Sequence, residues 1–145
     1  MHFEHLLETD PASSIVADDH GRLVAFGVVM RRGHTAFLSF LFVEPRWQGR
    51  GLGRAVLEAC LASADGASTA STCAEADQPV STGLYASLGL APRVPIYLVR
   101  GSLADDALPR PPEGVAMRAV EAAAVAALDL ELLGYERPRD HAFWG

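Results

Sequence analysis

Phe40-Leu41-Phe42-Val43-Glu44-Pro45-Arg46-Trp47-Gln48-Gly49-Arg50-Gly51-Leu52-Gly53-Arg54-Ala55-Val56-Leu57 joins three kinds of local structure in one run. Strand-forming residues end at Pro45, a glycine-rich turn follows, and a helical pattern begins inside that turn. A strand, a loop of free backbone N–H groups and a helix N-terminus therefore follow one another directly. Such a segment can hold a phosphorylated ligand with its main chain alone.

Upstream, the pattern predicts an antiparallel meander. His2–Glu8 reads as a short helix with Phe3, Leu6 and Leu7 on one face, stopped at Thr9-Asp10-Pro11. Ser14–Ala17 reads as a short strand and Asp18-Asp19-His20-Gly21 as a turn. Leu23–Arg31 and Thr35–Val43 are apolar on both faces, which predicts central strands covered on both sides, joined by a hairpin at Arg32-Gly33-His34.

Downstream, Leu52, Val56, Leu57, Cys60 and Leu61 have the spacing of an amphipathic helix that runs from Gly51 to Ser63 and ends at Asp65-Gly66. Ala67–Ala74 reads as a strand. Asp77-Gln78-Pro79 opens a helix over Val80–Leu88, and Gly89 ends it. Val94–Arg100 reads as a strand. Prolines 109, 111 and 112 then mark a linker over residues 102–114. Val115–Val120 reads as a strand, Glu121–Leu133 as a helix with Val125, Leu128 and Leu132 on one stripe, and Gly134 as its stop.

Composition narrows the function. The chain of 145 residues reads as one domain of ordinary globular composition. A net charge of −6 argues against a nucleic-acid surface and makes a cationic small molecule or basic peptide the easier partner. No run reaches the ~18 apolar residues of a membrane span. The N-terminus does not read as a signal peptide, and the two cysteines, Cys60 and Cys73, cannot build a disulfide framework, so a reducing cytoplasm is expected. The five histidines lack metal-ligand spacing with the cysteines, and no metal is expected.

Two common nucleotide motifs fail on particular residues. A dinucleotide fingerprint through Gly49 and Gly51 needs glycine where Arg54 stands, and a Walker loop needs a lysine, which the chain lacks altogether. What remains, Gln48-Gly49-Arg50-Gly51-Leu52-Gly53 after an antiparallel strand, resembles the pyrophosphate-binding segment of the GNAT superfamily of N-acetyltransferases. Asp77-Gln78-Pro79-Val80-Ser81-Thr82-Gly83-Leu84-Tyr85-Ala86-Ser87-Leu88-Gly89-Leu90 resembles the second signature of that family. Here Gln78 replaces an Asn, Ser81 an Ala and Leu90 a Phe, while Tyr85 and Gly89 match.

The resemblance covers roughly residues 10–100. It implies an α/β (α+β) fold, a mixed and mostly antiparallel sheet flanked by helices, and transfer of an acetyl group from acetyl-CoA to an amine. It implies that the cofactor pyrophosphate rests on main-chain N–H groups from Gly49 to Arg54, with Gln48, Gly51, Leu52, Gly53 and Gln78 in the binding segment. It also implies that the pantetheine arm lies along the strand end at Phe42 and Val43. Arg46, Arg50 and Arg54 are candidate phosphate partners. Tyr85 matches the acid that protonates the leaving thiolate, and Glu44 and Glu75, at the ends of the two strands expected to splay, are candidate bases.

The chain departs from the family at its ends. The opening strand and helix expected before the meander resemble residues 115–145 instead. Three readings follow for a core at 1–101, a linker at 102–114 and a tail at 115–145. The tail completes its own core as a circular permutation, completes a partner chain in a swapped homodimer, or begins a truncated second domain. Thirteen linker residues reach up to ~40 Å, enough for the first two, in which Tyr135, Arg137, Asp140, His141 and Trp144 approach the acceptor pocket. The rival functions are an acyl-CoA-binding sensor without transfer and a partner-binding domain in which Gln48–Gly53 is only a turn.

Overall fold

In the computed structural model, residues 2–102 and 111–144 are described. Most of the expected linker at 102–114 lies outside them. Helix α1 spans His2–Thr9, followed by strands β1 (Ser14–Asp19), β2 (Arg22–Arg32) and β3 (Thr35–Val43), then helix α2 (Leu52–Ser63), strand β4 (Thr69–Thr72) and helix α3 (Pro79–Ser87). The tail carries helices α4 (Ala122–Leu133) and α5 (Pro138–Trp144). The strands lie in the order β1-β2-β3-β4; the first three are antiparallel and β4 is parallel to β3.

Local chemistry accounts for the meander. His20 and Gly21 both take positive φ, 51° and 84°, which matches a tight turn to the twist of the strands it joins. The Asp18 carboxylate accepts the Gly21 N–H. Between β2 and β3, Val28 pairs with Phe40 but Val29 pairs with Leu38, so Ser39 is the extra residue of a bulge. That one-residue shift places Phe37, Phe40 and Phe42 opposite Met30, Val28 and Phe26, and hence on a single face.

The opposite face carries α2. Val56, Leu57, Cys60 and Ala64 pack on Ala25, Val29, Ala36 and Leu38, with Leu84, Tyr85 and Leu88 at the margin. Burying Val56 and Leu57 contributes roughly 1.5–3 kcal/mol each. The helix lies so close that a Cβ on Gly27 would stand 2.8 Å from Cys60 Sγ and 2.9 Å from Val56 Cγ1. Glycine at that strand position therefore sets the distance between helix and sheet.

On the other face, Leu6 of α1 is fully buried. Phe3 meets Phe26 and Phe40 edge-on at 5.7 and 5.4 Å. Tail helix α5 joins this side: Asp140 accepts two hydrogen bonds from Arg32 of β2 and pairs with His5 of α1. Phe143 stacks on His5 at 4.4 Å.

Two expected strands are absent. Val94–Arg100 and Val115–Val120 form no strand, and Val94, Ile96, Tyr97, Leu98 and Val99 are 77–84% exposed apart from Ile96 at 75%. Residues 94–100 have strand-forming apolar chemistry, but a strand needs an edge to pair with. Pro95 removes one donor from the segment, and β4 offers only four residues, Thr69–Thr72, rather than the eight expected from Ala67 to Ala74. Helix α4 matches the sequence pattern and stops at Gly134 with φ 77°, but Leu128 and Leu132 of its stripe are 50% and 70% exposed.

Candidate active site

Strands β3 and β4 pair from Thr35–Thr69 to Leu38–Thr72, where the pairing stops. β3 continues to Val43, so Ser39–Val43 has no strand on its β4 side among the described residues. The Thr72 hydroxyl donates to the Leu38 carbonyl and closes the last rung. A strand edge with unpaired N–H and C=O groups can take up an extended ligand arm by main-chain hydrogen bonds.

At the end of that edge the chain turns through Pro45–Trp47 into α2. The Gln48 side chain donates to the Val43 carbonyl and ties the loop to the strand. Gly49 and Gly51 take φ of 72° and 82°, conformations that L residues rarely adopt, and nothing lies within 4 Å of where their Cβ atoms would be. The backbone is thus exposed on both sides of Arg50. Gly51 is the N-cap of α2 with no side-chain cap, and the first N–H with an i−4 acceptor is that of Ala55. The N–H groups of Leu52, Gly53 and Arg54 belong to the unpaired first turn. Their geometry and the helix dipole fit a diphosphate, with a dipole contribution of ~0.3–1 kcal/mol.

The flanking cations differ in freedom. Arg50 lies over the Trp47 ring, 5.3 Å from its centre. Arg54 donates to Ser87 of α3 at 2.6 Å and faces Glu58 at 3.5 Å, so it bridges the two helices that flank the loop. Arg46 is exposed. Gly53 sits 3.4 Å, measured from its would-be Cβ, from Val43 and 3.8 Å from Leu84, where helix, strand end and α3 converge. Phe42 is 57% exposed, its ring 5.2 Å from Phe26.

Tyr85 lies on α3 against the apolar cluster under α2. Burial pushes its phenol above the usual value, so the hydroxyl keeps its proton at neutral pH. Its hydroxyl has no hydrogen-bond partner among the described residues. Glu44 ends β3; its Oε1 accepts from Arg22 at 2.7 Å, while Oε2 is buried without a partner. Glu75 is exposed on a turn, its carbonyl accepting the Gln78 N–H. Gln78 is the exposed N-cap of α3, with no side-chain cap bond.

The sequence points to Tyr135, Arg137 and Asp140 of the tail but not to the sheet residues they meet. Met30, Arg32, Thr35, Phe37 and Ser71 line a cavity of about 240 Å³ with Tyr135, Arg137 and Asp140 of the tail. Thr35 pairs with Thr69 at the first rung of β3 and β4 and Phe37 with Ser71 one rung before the last, so this cavity lies over the paired part of the two strands, toward the β2–β3 hairpin. By sequence Arg32 belongs to a hairpin turn, and no local pattern marks its partners, which lie up to 108 positions away. Among the described residues no group of three or more His, Cys, Asp or Glu is placed to hold a metal ion, and no helix is long and apolar enough to cross a membrane.

Comparison with known proteins gives one consistent likeness. Residues 1–90 match the Acetyltransferase (GNAT) family. Mycothiol acetyltransferase of Clavibacter michiganensis subsp. michiganensis is 35% identical over 98 residues, covering 68% of this chain and 31% of that protein. The enzyme of the same name from Nocardia farcinica is 31% identical over 114 residues, covering 77% and 37%. The chain thus spans about a third of the length of these curated relatives. Among solved structures, an aminoglycoside N-acetyltransferase, AAC(6')-Iy, in complex with CoA superposes with a TM-score of 0.56 at 18% identity, covering 69% of this chain and 83% of that one. A putative GNAT acetyltransferase from Xanthomonas campestris pv. campestris gives 0.52 at 24% identity, covering 72% of each. These structures share the fold.

Proposed function

The chain belongs to the Acetyltransferase (GNAT) family, and from that premise we propose that it transfers an acetyl group from acetyl-CoA to the primary amine of a small molecule or peptide. The observation that carries this reading is the continuity of the unpaired β3 edge, the glycine turn and the uncapped start of α2. It offers an extended arm and a diphosphate one uninterrupted binding surface.

Each residue then has a role. The main chain of Gly49–Arg54 holds the pyrophosphate, with Arg50 and Arg54 beside it. Val43 and Phe42 border the arm. Bound acetyl-CoA supplies the acyl group as a thioester. Tyr85 gives its proton to the leaving sulfur, and burial keeps that proton in place beforehand. Glu44 receives the proton that the attacking amine loses; its partnerless Oε2 supports it over the solvated Glu75. Amine N–C bond formation, C–S cleavage and the two proton transfers together give an amide and a free thiol.

The same reading has the chain act in the cytoplasm as a homodimer. The exposed apolar run at 94–99 supports a cover of some kind. The tail at 115–145 is taken to pack on its own core at 1–101, which the Asp140–Arg32 pair supports. Thiol release from acetyl-CoA across a panel of amines tests the transfer. A thermal shift with CoA but no turnover with any amine would favour the sensor instead, and neither response would leave Gln48–Gly53 a simple turn. Sedimentation equilibrium tests the dimer.

A further inference from the structure

We infer that Phe40, backed by Phe3 of α1, forms the end wall of the acyl pocket and limits the donor to short acyl groups. This rests on the acetyltransferase reading and adds the residue that sets the length of the transferred chain. Direction comes from the two ends of the open β3 edge. The glycine turn and the start of α2 follow Val43, so an arm held there by its diphosphate runs inward from Val43 toward Ser39. That path covers ~13 Å at ~3.3 Å per residue. It is closed at Leu38, where β4 takes up the edge through the Leu38–Thr72 pair and the Thr72 hydroxyl donates to the Leu38 carbonyl. An acyl group at the tip of the arm therefore turns off the edge onto one face of the sheet.

Packing decides which face. On one, Leu41 and Val43 pack against the cluster under α2, and a Cβ on Gly53 would already stand 3.4 Å from Val43. The other is the aromatic face, where the bulge at Ser39 puts Phe37, Phe40 and Phe42 together. Phe37 belongs to the paired rungs, in register with Ser71. Phe40 is therefore the first side chain of that face beyond the last rung, and Phe42 is the next outward. Phe40 is half-buried and Phe42 exposed, so the face is walled at its inner end and open at its outer one. Phe3 meets Phe40 edge-on at 5.4 Å and Phe26 at 5.7 Å, and the Phe42 ring lies 6.3 Å from that of Phe40. Ring against ring, Phe40 has little freedom to swing aside. An acetyl group carries one methyl beyond the thioester carbonyl. Each further methylene has to displace the Phe40 ring or the Phe3 ring behind it.

Binding tests the wall without the choice of an acceptor. Calorimetric titration of the full chain compares CoA, acetyl-CoA and butyryl-CoA. The wild type should bind butyryl-CoA about tenfold or more weakly than acetyl-CoA, the scale on which an apolar pocket reads one or two methylenes. Phe40→Leu should remove most of that difference while CoA itself binds as before, and Phe3→Leu should remove part of it. Phe37→Leu lies on the same face but behind the last rung and should leave the difference intact, which general loosening of the aromatic face would not. Should Phe40→Leu fail to fold, Phe40→Met carries the same comparison. Equal affinity of the wild type for the two thioesters, an undiminished difference in the folded Phe40 variant, or equal relief by Phe37→Leu overturns the inference but leaves the acetyltransferase reading standing. Failure of the wild type to bind CoA removes both.

Discussion

Arg32 and Asp140 stand 108 positions apart and meet through paired hydrogen bonds of 2.8 and 2.7 Å, Nε to Oδ2 and Nη2 to Oδ1. The same guanidinium holds Asp10, and the same carboxylate holds His5. One strand residue thus joins the end of α1 to the last helix. The pair's side chains are each 12% exposed. Asp140→Ala leaves a largely buried Arg32 short of one partner and should cost about 3 kcal/mol of stability, read as a lower urea midpoint. Asp140→Asn, which keeps an acceptor oxygen for Arg32, should cost less; a loss equal to that of Asp140→Ala would mean that the pair is not the source.

Acid should loosen the tail. The Arg137 guanidinium, with His141, holds the Asp129 carboxyl down from 3.8 to about 2. Asp140 is also lowered: Arg32 and His5 outweigh the opposing effect of burial, the largest single influence on it. A depressed folded value stabilises above the unfolded one and is lost as pH falls through the folded one. Stability should therefore hold above about pH 4 and decline toward pH 2. In Asp129→Asn that decline should shrink. Urea midpoints of both proteins across this range measure it, and identical slopes would refute the assignment.

Gly27→Ala should be destabilising although alanine has the higher intrinsic order. Its Cβ would meet Cys60 Sγ at 2.8 Å and Val56 Cγ1 at 2.9 Å. Overpacking of this kind costs about 1–3 kcal/mol. Cys60→Ala made in the Gly27→Ala background should recover part of the loss. A thermal melt of the four proteins gives the coupling.

Gly51→Ala tests the phosphate turn. Space is open there, so the penalty is conformational, roughly 1–2 kcal/mol for a left-handed residue. CoA affinity should fall with it, since the turn that aims the N–H groups is strained. Calorimetric titration with CoA would show the change; unaltered affinity would separate the loop from the ligand.

Tyr85→Phe and Glu44→Gln address the proton transfers. Each should lower the rate of thiol release by about 100-fold or more, the range for a positioned acid or base, while CoA still binds. A Tyr85→Phe protein with normal turnover would end the acid role.

The meander, α2 and α3 were legible because each carries its own signal. Turn residues such as Asp18 and Gly21 bound the strands, the apolar spacing from Leu52 to Leu61 marks one helical face, and Gly89 ends the next helix. Residues 94–100 misled for the opposite reason. Apolar, β-branched chemistry states a capacity to pair, and pairing depends on an edge supplied elsewhere.

The sequence by itself determined the glycine turn between a strand and a helix, because φ restrictions and helix-start chemistry act within a few residues; the likeness to the family rests on the residues matched in that turn and around Tyr85. Only the tertiary structure decided the rest. The Ser39 bulge brings Phe37, Phe40 and Phe42 to one face, and the pairing of β3 with β4 ends at Leu38–Thr72. Asp140, from the far end of the chain, closes on Arg32 at the hairpin end of β2 and β3. Register and long-range ion pairs join residues that carry no mark of one another in the chain, so they are set by packing alone.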